Sequence, residues 1–370
     1  MWGTMLEKSD SSCQRMEKVC KESRTKSGEV MKSVKIDELD RLLIGALLAH
    51  PRATHAAIGQ AVRSSEATVS RRLARLRRTG AVRVVGALDS QISHRARSVF
   101  VRLRCAPGAA DELALPLAQW EETGSVKVLT GSVDCVAEVA YTSNEHLYGL
   151  MMHRLPQFEG VMATFSNQVI RRFSTPHGWN PGLLPDTVVA ELRADRRDRW
   201  SEHPEPDEAA PMSELDEQIL AAFIEDGRIS WQDLATRCGV TPSTARRRAE
   251  GLMATGVLRM RTVVEPEVLG LAVNAFVWLT INPTKIGLAG EILARHRSVV
   301  MIAATTGDRN LCGEIAVASD SALYEFLSET VGHLPGLIHA DVAVALRTVK
   351  RAGRIAPELR TAVGSERPSR

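Results

Sequence analysis

The sequence repeats itself at a fixed spacing of 176 residues. The match runs without a gap through most of each half, and near its end the spacing becomes 179, as expected for three residues inserted at the end of a helix. Each copy must therefore carry its own succession of helices and strands, so the sequence predicts one architectural unit written twice. The matching pairs include Leu39 with Leu215, Asp40 with Asp216, Gly80 with Gly256, Gly131 with Gly307, Tyr148 with Tyr324 and, at the wider spacing, Leu155 with Leu334.

Length and composition agree with a duplication. The chain has 370 residues, enough for two units of roughly 150 residues that each bury a core. No apolar run approaches the roughly 20 residues of a membrane-spanning helix, and residues 1–33 lack the apolar stretch of a signal peptide, so we expect a soluble, cytoplasmic protein with no membrane partner. The six cysteines form no close pair and do not match between copies, so we expect no disulfide framework, no zinc or other metal site and no cofactor.

Each copy begins with a pattern that predicts three short helices. In the first copy the apolar spacing from Leu39 stops at Pro51, Thr54 can cap a second helix, and Ser65 can cap a third that Gly80 closes. The second copy repeats these signals with Ser230, with Thr241 followed by Pro242, and with Gly256. Three short helices in about forty residues are typical of a helix-turn-helix unit.

The third helix of each copy is strongly basic. Val69, Leu73 and Leu76 form one apolar stripe, and arginines fill most of the remaining surface. An isolated basic helix is most often a solvated face, but small or hydroxylated residues at the start of a third helix are what a recognition helix needs near bases, and arginine suits phosphate and guanine. We therefore expect both copies to bind double-stranded DNA. The candidate contacts are Ser65, Ala67, Thr68, Ser70, Arg71, Arg72 and Arg75, and Thr241, Ser243, Thr244, Arg246, Arg247 and Arg248.

The rest of each copy alternates between strand and helix patterns. A β-like stretch follows each closing glycine, over 81–88 and 257–264, and suits either a wing or a strand that leads away from the DNA. Beyond it the first copy predicts strands over 99–103, 126–129, 135–141 and 161–171 with helices over 110–121 and 144–155, and the second copy follows suit. This is the βαββαβ order of a ferredoxin-like module.

A helix-turn-helix followed by such a module resembles the Lrp/AsnC (leucine-responsive and asparagine-operon) transcriptional regulators. In the second copy the resemblance rests on Leu215-Asp216, Gly227-Arg228-Ile229-Ser230, Leu234-Ala235, Thr241-Pro242-Ser243-Thr244, Arg247-Arg248, Thr255-Gly256-Val257 and Leu334-Pro335-Gly336. The first copy matches through Leu39-Asp40, Ser65, Thr68, Arg71-Arg72-Leu73, Leu76 and Thr79-Gly80, but has His50-Pro51-Arg52 where the family usually has an acidic residue, Gly and Arg. The fold class implied is α+β, with two copies of a (winged) helix-turn-helix and a ferredoxin-like ligand and oligomerisation module.

The resemblance also implies partners. Members of this family bind DNA as dimers that often assemble further, and many sense an amino acid at a central turn of the module, where an acidic side chain pairs with the α-ammonium. The first turn ends in Asp134 and the second places Asp308 earlier, followed by Arg309, which can neutralise it. A tight turn that needs Gly and Asp for backbone reasons is the alternative. The candidate effector residues are Gly131, Asp134, Gly307, Asp308 and Asn310.

These observations predict the following organisation. We expect a disordered extension over 1–33, with Met31 as a possible start, a DNA-binding domain over 34–88, a regulatory module over 89–173 and a linker over 174–211 that holds a short helix at 186–200, then a second DNA-binding domain over 212–264, a second module over 265–352 and a tail over 353–370. One chain is then expected to act as a covalent pseudo-dimer, able to associate further.

Two other interpretations fit parts of the sequence. The same two-domain unit resembles the sirohaem decarboxylases, and His94, Arg95 and Arg97 lie near a suitable place for a tetrapyrrole, but the second copy has Gly270, Leu271 and Ala272 in the positions of residues 94–96. A binding scaffold whose helix-turn-helix has decayed is the other, although decay would erode the basic faces. No GxSxG, P-loop, GxGxxG or HExxH motif is present, so we do not expect an enzyme. The sequence favours a DNA-binding transcriptional regulator.

Overall fold

The structure is a computed structural model that describes residues 35–88, 97–194, 212–356 and 359. The expected extension at 1–33 with Met31, the end of the linker at 195–211, His94 and Arg95, and nearly all of the tail beyond 356 lie outside these residues. Residues 36–355 form one compact unit, and the description below is of that unit.

The first copy has three helices followed by a βαββαβ module, in the expected order. Its elements are α1 (Glu38–Ala49), α2 (His55–Ala61), α3 (Glu66–Arg78), β1 (Arg83–Leu88), β2 (Arg97–Cys105), α4 (Ala110–Gln119), β3 (Thr123–Leu129), β4 (Cys135–Tyr141), α5 (Asn144–Gly149) and β5 (Val161–Ser174). The predicted helix over 144–155 is α-helical only in α5 and continues as a π-helical turn (Leu150–Arg154) and a 3₁₀ turn (Leu155–Gln157).

The described part of the linker contains one helix, and the second copy repeats the first. The elements are α6 (Asp186–Ala194), α7 (Glu214–Glu225), α8 (Trp231–Cys238), α9 (Pro242–Ala254), β6 (Leu258–Val263), β7 (Val273–Ile281), α10 (Ile286–Ala294), β8 (Val299–Thr305), β9 (Leu311–Val317), α11 (Asp320–Glu325), β10 (Leu337–Arg351) and β11 (Arg354–Ile355). Helix α6 covers the first part of the predicted 186–200 helix. None of the helices in the described ranges has the length and apolarity needed to cross a membrane.

The predicted helix boundaries are set by the expected side chains. Thr54, Ser65, Ser230 and Thr241 each accept a hydrogen bond from the backbone N–H three residues later and so begin α2, α3, α8 and α9. The chain leaves α3 and α9 through Gly80 and Gly256, whose φ angles are 74° and 75°. Both glycines adopt the left-handed conformation that a side chain would disfavour.

The strand that follows each third helix pairs with its counterpart in the other copy. β1 and β6 run antiparallel, with Val85 opposite Arg261, and form a two-stranded ribbon that joins the two helical domains. The sequence left open whether this stretch forms a wing or a strand that leads away from the DNA. In the structure each copy supplies a single strand, and the hydrogen-bond partner of that strand lies in the other copy.

The two modules close into one continuous sheet. Each module has four strands, in the order β5-β2-β4-β3 and β10-β7-β9-β8, and the modules join edge to edge where β5 pairs with β8 and β10 pairs with β3. These two junctions are equivalent under the repeat, so the modules are related by a pseudo-twofold axis. Phe100 and its counterpart Phe276 meet inside the closed sheet with ring centroids 5.6 Å apart. One chain therefore contains the pseudo-dimer that the sequence predicted.

The linker fastens the first helical domain to the second module. Leu183 and Leu184 pack against Gly45 of α1, where an added Cβ would lie 2.9 Å from that of Leu183. Trp179 Nε1 donates to the carbonyl oxygen of Arg297 at 3.0 Å, and Arg297 pairs with Asp186 at 3.0 Å. Packing and polar contacts thus hold the described part of the linker against both the first helical domain and the second module.

Candidate nucleic-acid interface and effector turns

The arginines of α3 and α9 separate into two groups in the structure. Leu73 and Leu76 are buried beneath α3, and Ala245 and Ala249 are buried beneath α9, so each helix has one packed face and one exposed face. The remaining positions of both helices carry the candidate DNA contacts. Which of those contacts are available depends on whether another part of the chain already binds them.

One arginine in each recognition helix is tied to the start of its own domain. Arg72 pairs with Asp37 at 2.5 Å and with Asp40 at 3.2 Å. Arg248, which is its counterpart in the repeat, pairs with Asp216 at 2.6 Å and donates to Ser213 Oγ at 3.1 Å. Both arginines thus hold the third helix against the N-terminal end of the first, a role that differs from the expected DNA contact.

These ion pairs also lower the pKa of Asp37 and of Asp216. The hydrogen bond from Arg72 and that from the backbone N–H of Asp40 lower the pKa of Asp37 to about 2. Burial of Asp216 opposes ionisation, but hydrogen bonds from Ser213 and Arg248 outweigh it and lower the pKa of this carboxyl. Both acids are therefore charged at neutral pH and keep the arginines in place.

Other arginines of α3 and α9 also have intramolecular partners. Arg75 pairs with Asp40, and Arg246 pairs with Glu250 one turn later at 2.9 Å. Arg77 pairs with Asp226 of the other helical domain at 2.8 Å. The side chain of Arg246 is half exposed, so the Glu250 pair leaves its guanidinium within reach of a partner from solvent.

The candidate hydroxyl groups at the helix starts form small networks. Ser65 Oγ donates to Thr68 Oγ1 at 2.9 Å while accepting from the backbone N–H of Thr68. Thr241 Oγ1 lies 2.9 Å from Thr244 Oγ1, accepts from the backbone N–H of Thr244 and lies 3.0 Å from Ser243 Oγ. The first turns of α3 and α9 are thus fixed by equivalent caps.

The exposed residues without such partners are the remaining candidates for DNA contact. Arg71 and its counterpart Arg247 are exposed and have no ion pair or side-chain hydrogen bond with the described residues, and the same is true of Arg78. Ser70 and Ala67 are exposed beside them on α3. Each third helix therefore presents unneutralised positive charge at its outer face.

A pair of arginines that the sequence reasoning did not single out connects the two helical domains. Arg52 donates to the carbonyl oxygens of Gly227 and Ile229 at 2.6 and 3.3 Å, and Arg228 donates to those of Pro51 and Ala53 at 2.8 and 2.9 Å. We call these contacts the reciprocal latch. Arg52 and Arg228 occupy the same position of the repeat, 176 residues apart, and that coincidence was the available signal.

The latch is partly withdrawn from water. The guanidinium of Arg52 also lies over the rings of Phe223 and Trp231, with centroid distances of 5.2 and 4.7 Å. Burial and the nearby charge of Arg228 lower the pKa of Arg52 to about 10, so both arginines remain charged at neutral pH. The departure from the usual turn at His50-Pro51-Arg52 therefore preserves the arginine that makes the contact.

The two candidate effector turns share a backbone bracket. Asp134 Oδ2 accepts from the N–H of Cys105 at 2.7 Å, and Asn310 Oδ1 accepts from the N–H of the equivalent Ile281 at 2.9 Å. Gly131 and Gly307 open these turns with φ angles of 99° and 95°. The last residue of each turn thus has a structural role in both copies.

The acids of the two turns differ in their surroundings. Asp308 is 78% exposed and lies 3.5 Å from Arg309 and 3.9 Å from Arg102. Asp134 is partly buried, and its Oδ1 has no hydrogen-bond partner among the described residues. Asp134 makes no ion pair with the described residues, although Arg104 donates to the carbonyl oxygen of Ser132 in the same turn at 3.1 Å.

Two domain models of one family match both copies. The AsnC-type helix-turn-helix domain matches residues 36–77 and 212–253, and the Lrp/AsnC ligand binding domain matches residues 98–177 and 274–355. Together they cover more than half of the chain. The chain belongs to the Lrp/AsnC family of transcriptional regulators and is a tandem duplication of its two-domain unit.

Individual proteins resemble parts of the chain or its fold. The HTH-type transcriptional regulator FL11 of Pyrococcus horikoshii is 27% identical over 141 residues, which cover 38% of this chain and 93% of the relative. The Bkd operon transcriptional regulator of Pseudomonas aeruginosa is 28% identical over 148 residues, covering 38% and 94%. The siroheme decarboxylase NirDL has a similar fold, with a TM-score of 0.57 and 15% identity over 89% of this chain and 98% of its own.

Proposed function

We propose that this chain is a sequence-specific, DNA-binding transcriptional regulator in which one polypeptide supplies both halves of the DNA-binding unit. The observation that carries the proposal is the pair of recognition helices joined by the β1–β6 ribbon and the reciprocal latch. Each helix has an exposed arginine at the same position, Arg71 and Arg247, that makes no ion pair with the described residues. Phosphate neutralisation by such arginines supplies affinity, and neighbouring side chains near bases supply specificity.

The two recognition helices differ and would read different half-sites. Ala67 and Ser70 in α3 correspond to Ser243 and Arg246 in α9. A homodimer has to present two identical helices, whereas this chain presents two different ones in a fixed relation. The preferred site is therefore expected to be asymmetric, with one half recognised by each helix.

The test selects binding sites from random duplex DNA with three variants. Ser70→Ala should change one half of the preferred sequence and Arg246→Ala the other, because a lost base contact removes about 1–3 kcal/mol of discrimination. Arg78→Ala, near the end of α3, should weaken all sequences alike and reduce the salt dependence, whose slope is roughly −0.9 per phosphate contact. Unchanged motifs in both Ser70→Ala and Arg246→Ala, or affinity that does not vary with salt, would refute the proposal.

An amino-acid effector is proposed for the first module. The carboxylate of Asp134 would accept the α-ammonium through Oδ1, while Gly131 brings backbone groups close to the ligand carboxylate. Ser132 Oγ donates to Asp341 Oδ2 at 2.6 Å, so a second acid borders this turn. The second turn is less suited because Arg102 and Arg309 lie near Asp308.

The structure allows a precise substitution for this test. Asp134→Asn reproduces the residue found at position 310, so it keeps the bracket to Cys105 and removes only the charge. Thermal unfolding in the presence of each of the twenty amino acids should identify a stabilising ligand, whose effect is lost in Asp134→Asn and kept in Asp308→Asn. Stabilisation by none of the twenty, or equal stabilisation of Asp134→Asn, would refute this assignment.

We propose that the chain catalyses no reaction and acts in the cytoplasm. The likeness to the siroheme decarboxylase NirDL, at 15% identity, concerns the fold alone. Of the three residues considered for a tetrapyrrole, Arg97 is described, and it donates to Asn144 Oδ1 at 2.6 Å and lies over the ring of Tyr141. These contacts give Arg97 a structural role at the start of β2.

A further inference from the structure

A cavity of about 260 Å³ lies between the two modules and the β6 strand. It is lined by charged residues from both copies, and Phe100, Phe276 and Met301 supply an apolar wall. Its volume equals that of roughly nine water molecules, since one water occupies about 30 Å³ in the liquid. It lies apart from the turns at 131–134 and 307–310, none of whose residues line it.

Two ion pairs in the cavity wall obey the repeat. Arg172 pairs with Glu138, and Arg351 pairs with Glu314 at 3.1 Å. Glu138 and Glu314 are related by the spacing of 176 residues, and Arg172 and Arg351 by the wider spacing of 179. These four residues are therefore equivalent across the pseudo-twofold axis, and the two arginines are each neutralised by an acid.

Two further cations break this symmetry. Lys127 pairs with Glu314, and its counterpart in the second copy is the buried Ala303. Arg261 on β6 has Val85 as its counterpart, which is buried as well. Both extra cations line the cavity, so the cavity is a single, asymmetric site rather than one of two equivalent sites.

The side chain of Arg261 has no hydrogen bond or ion pair with the described residues, and its Nε is buried although the residue as a whole is only partly buried. Burial and the charge of Arg351 lower its pKa to about 10, despite the opposing influence of Glu314, Glu138 and Glu265, so it is charged at neutral pH. A buried donor such as this Nε is costly without an acceptor, and proteins satisfy such groups with water or a ligand. A carboxylate satisfies a guanidinium with two parallel hydrogen bonds.

We infer that this cavity binds one small organic monocarboxylate per chain, with its carboxylate on Arg261 and its apolar body against Phe100, Phe276 and Met301. The cavity admits a ligand of roughly nine non-hydrogen atoms, by the water-volume comparison above. Benzoate has that size and an aromatic body, and benzamide has the same shape without the charge. The inference concerns a binding site and does not depend on the proposed role in DNA binding.

The experiment is isothermal titration of the full-length chain with benzoate and with benzamide, without DNA. The wild type should bind one benzoate per chain, and benzamide should bind at least tenfold more weakly. Arg261→Met should weaken benzoate binding at least tenfold, because it removes the guanidinium and keeps an apolar stem. Arg295→Met is the matched control, since Arg295 is exposed beyond α10 and does not line the cavity, and it should bind benzoate like the wild type.

A second variant tests the location without altering charge. Ser125 lines the cavity, and its counterpart in the repeat is Met301, so Ser125→Met fills the space with a side chain that the fold already accepts at the equivalent position. It should abolish benzoate binding. Absence of benzoate binding by the wild type, equal binding of benzamide, or full binding by either Arg261→Met or Ser125→Met would overturn the inference and leave a cavity occupied by water.

Discussion

The reciprocal latch should determine how firmly the two DNA-binding domains are held together. Arg228→Met removes two hydrogen bonds from a charged donor, at 2.8 and 2.9 Å, and leaves the carbonyl oxygens of Pro51 and Ala53 without that donor. Hydrogen bonds to charged groups contribute about 1.5–3 kcal/mol each, so partial exposure suggests a total of about 2–4 kcal/mol. Arg52→Met should cost about 0.5–2 kcal/mol more, because Arg52 also lies over two aromatic rings.

Amide hydrogen exchange in β1 and β6 measures this effect directly. If the ribbon opens when the domains separate, a loss of about 2–4 kcal/mol speeds exchange roughly 30-fold to 1,000-fold, since about 1.4 kcal/mol corresponds to a factor of ten. Strands β4 and β9, inside the modules, should exchange as in the wild type and provide the internal control. Unchanged exchange in β1 and β6 of both variants would refute the latch.

The double variant Arg52→Met with Arg228→Met tests whether the two arginines repel each other. The positive charge of Arg228 helps to lower the pKa of Arg52, so the two arginines repel each other. Each single substitution relieves this repulsion, and the sum of the two single effects therefore counts the relief twice. The double variant should consequently lose more free energy than that sum. A loss smaller than the sum would show that repulsion between Arg52 and Arg228 does not oppose the reciprocal latch.

Two more predictions follow from local contacts. The Asp37 carboxyl should titrate at pH about 2 by NMR, and Arg72→Met should return the midpoint toward 3.8. Because the folded-state pKa of Asp37 is lowered, the Arg72 contact stabilises the fold fully above pH about 4, and this stabilisation is lost as the pH falls to 2. A wild-type midpoint of 3.8 would contradict this prediction. Gly227→Ala should lower the melting temperature, because its Cβ would lie 2.8 Å from Val84 Cγ1. Gly251 has open space around it, so Gly251→Ala should stabilise the fold by about 0.5–1 kcal/mol. A higher melting temperature for Gly227→Ala than for Gly251→Ala would be inconsistent with the packing.

Local signals in the sequence were sufficient for the elements but not for their partners. The caps at Ser65 and Thr241 and the stops at Gly80 and Gly256 depend on residues within a few positions, so the recognition helices could be placed. The pairing of β1 with β6 could not be predicted, because a lone strand pattern does not say which edge it joins. The same limit applies to the π-helical turn Leu150–Arg154 after α5 and to its counterpart Phe326–Val331 after α11, where the apolar spacing alone indicated a continuous α-helix.

The basic face of α3 shows most clearly what the sequence alone could not predict. Arg71 and Arg72 are adjacent and identical in type, yet Arg71 is exposed and unpaired among the described residues while Arg72 binds Asp37 and Asp40 of another helix. The distinction depends on how α3 packs on α1, which the composition of α3 does not contain. The number of arginines on a predicted recognition helix therefore overestimates the number available to DNA.

Fusion of the two copies removes a constraint that a homodimer cannot escape. In a homodimer, a lysine at the position of Lys127 would also appear at the position of Ala303, where it would bring a second buried cation toward the sheet interior. Each buried charge carries a desolvation cost of several kcal/mol unless a well-placed acid compensates it. In one chain, a charge can instead be added on one side only, as Lys127 and Arg261 are, while the other side keeps Ala303 and Val85. The same freedom acts at the recognition helices, where Ser70 and Arg246 occupy equivalent positions, so the proposed asymmetric DNA site and the proposed single ligand site would both follow from one covalent link.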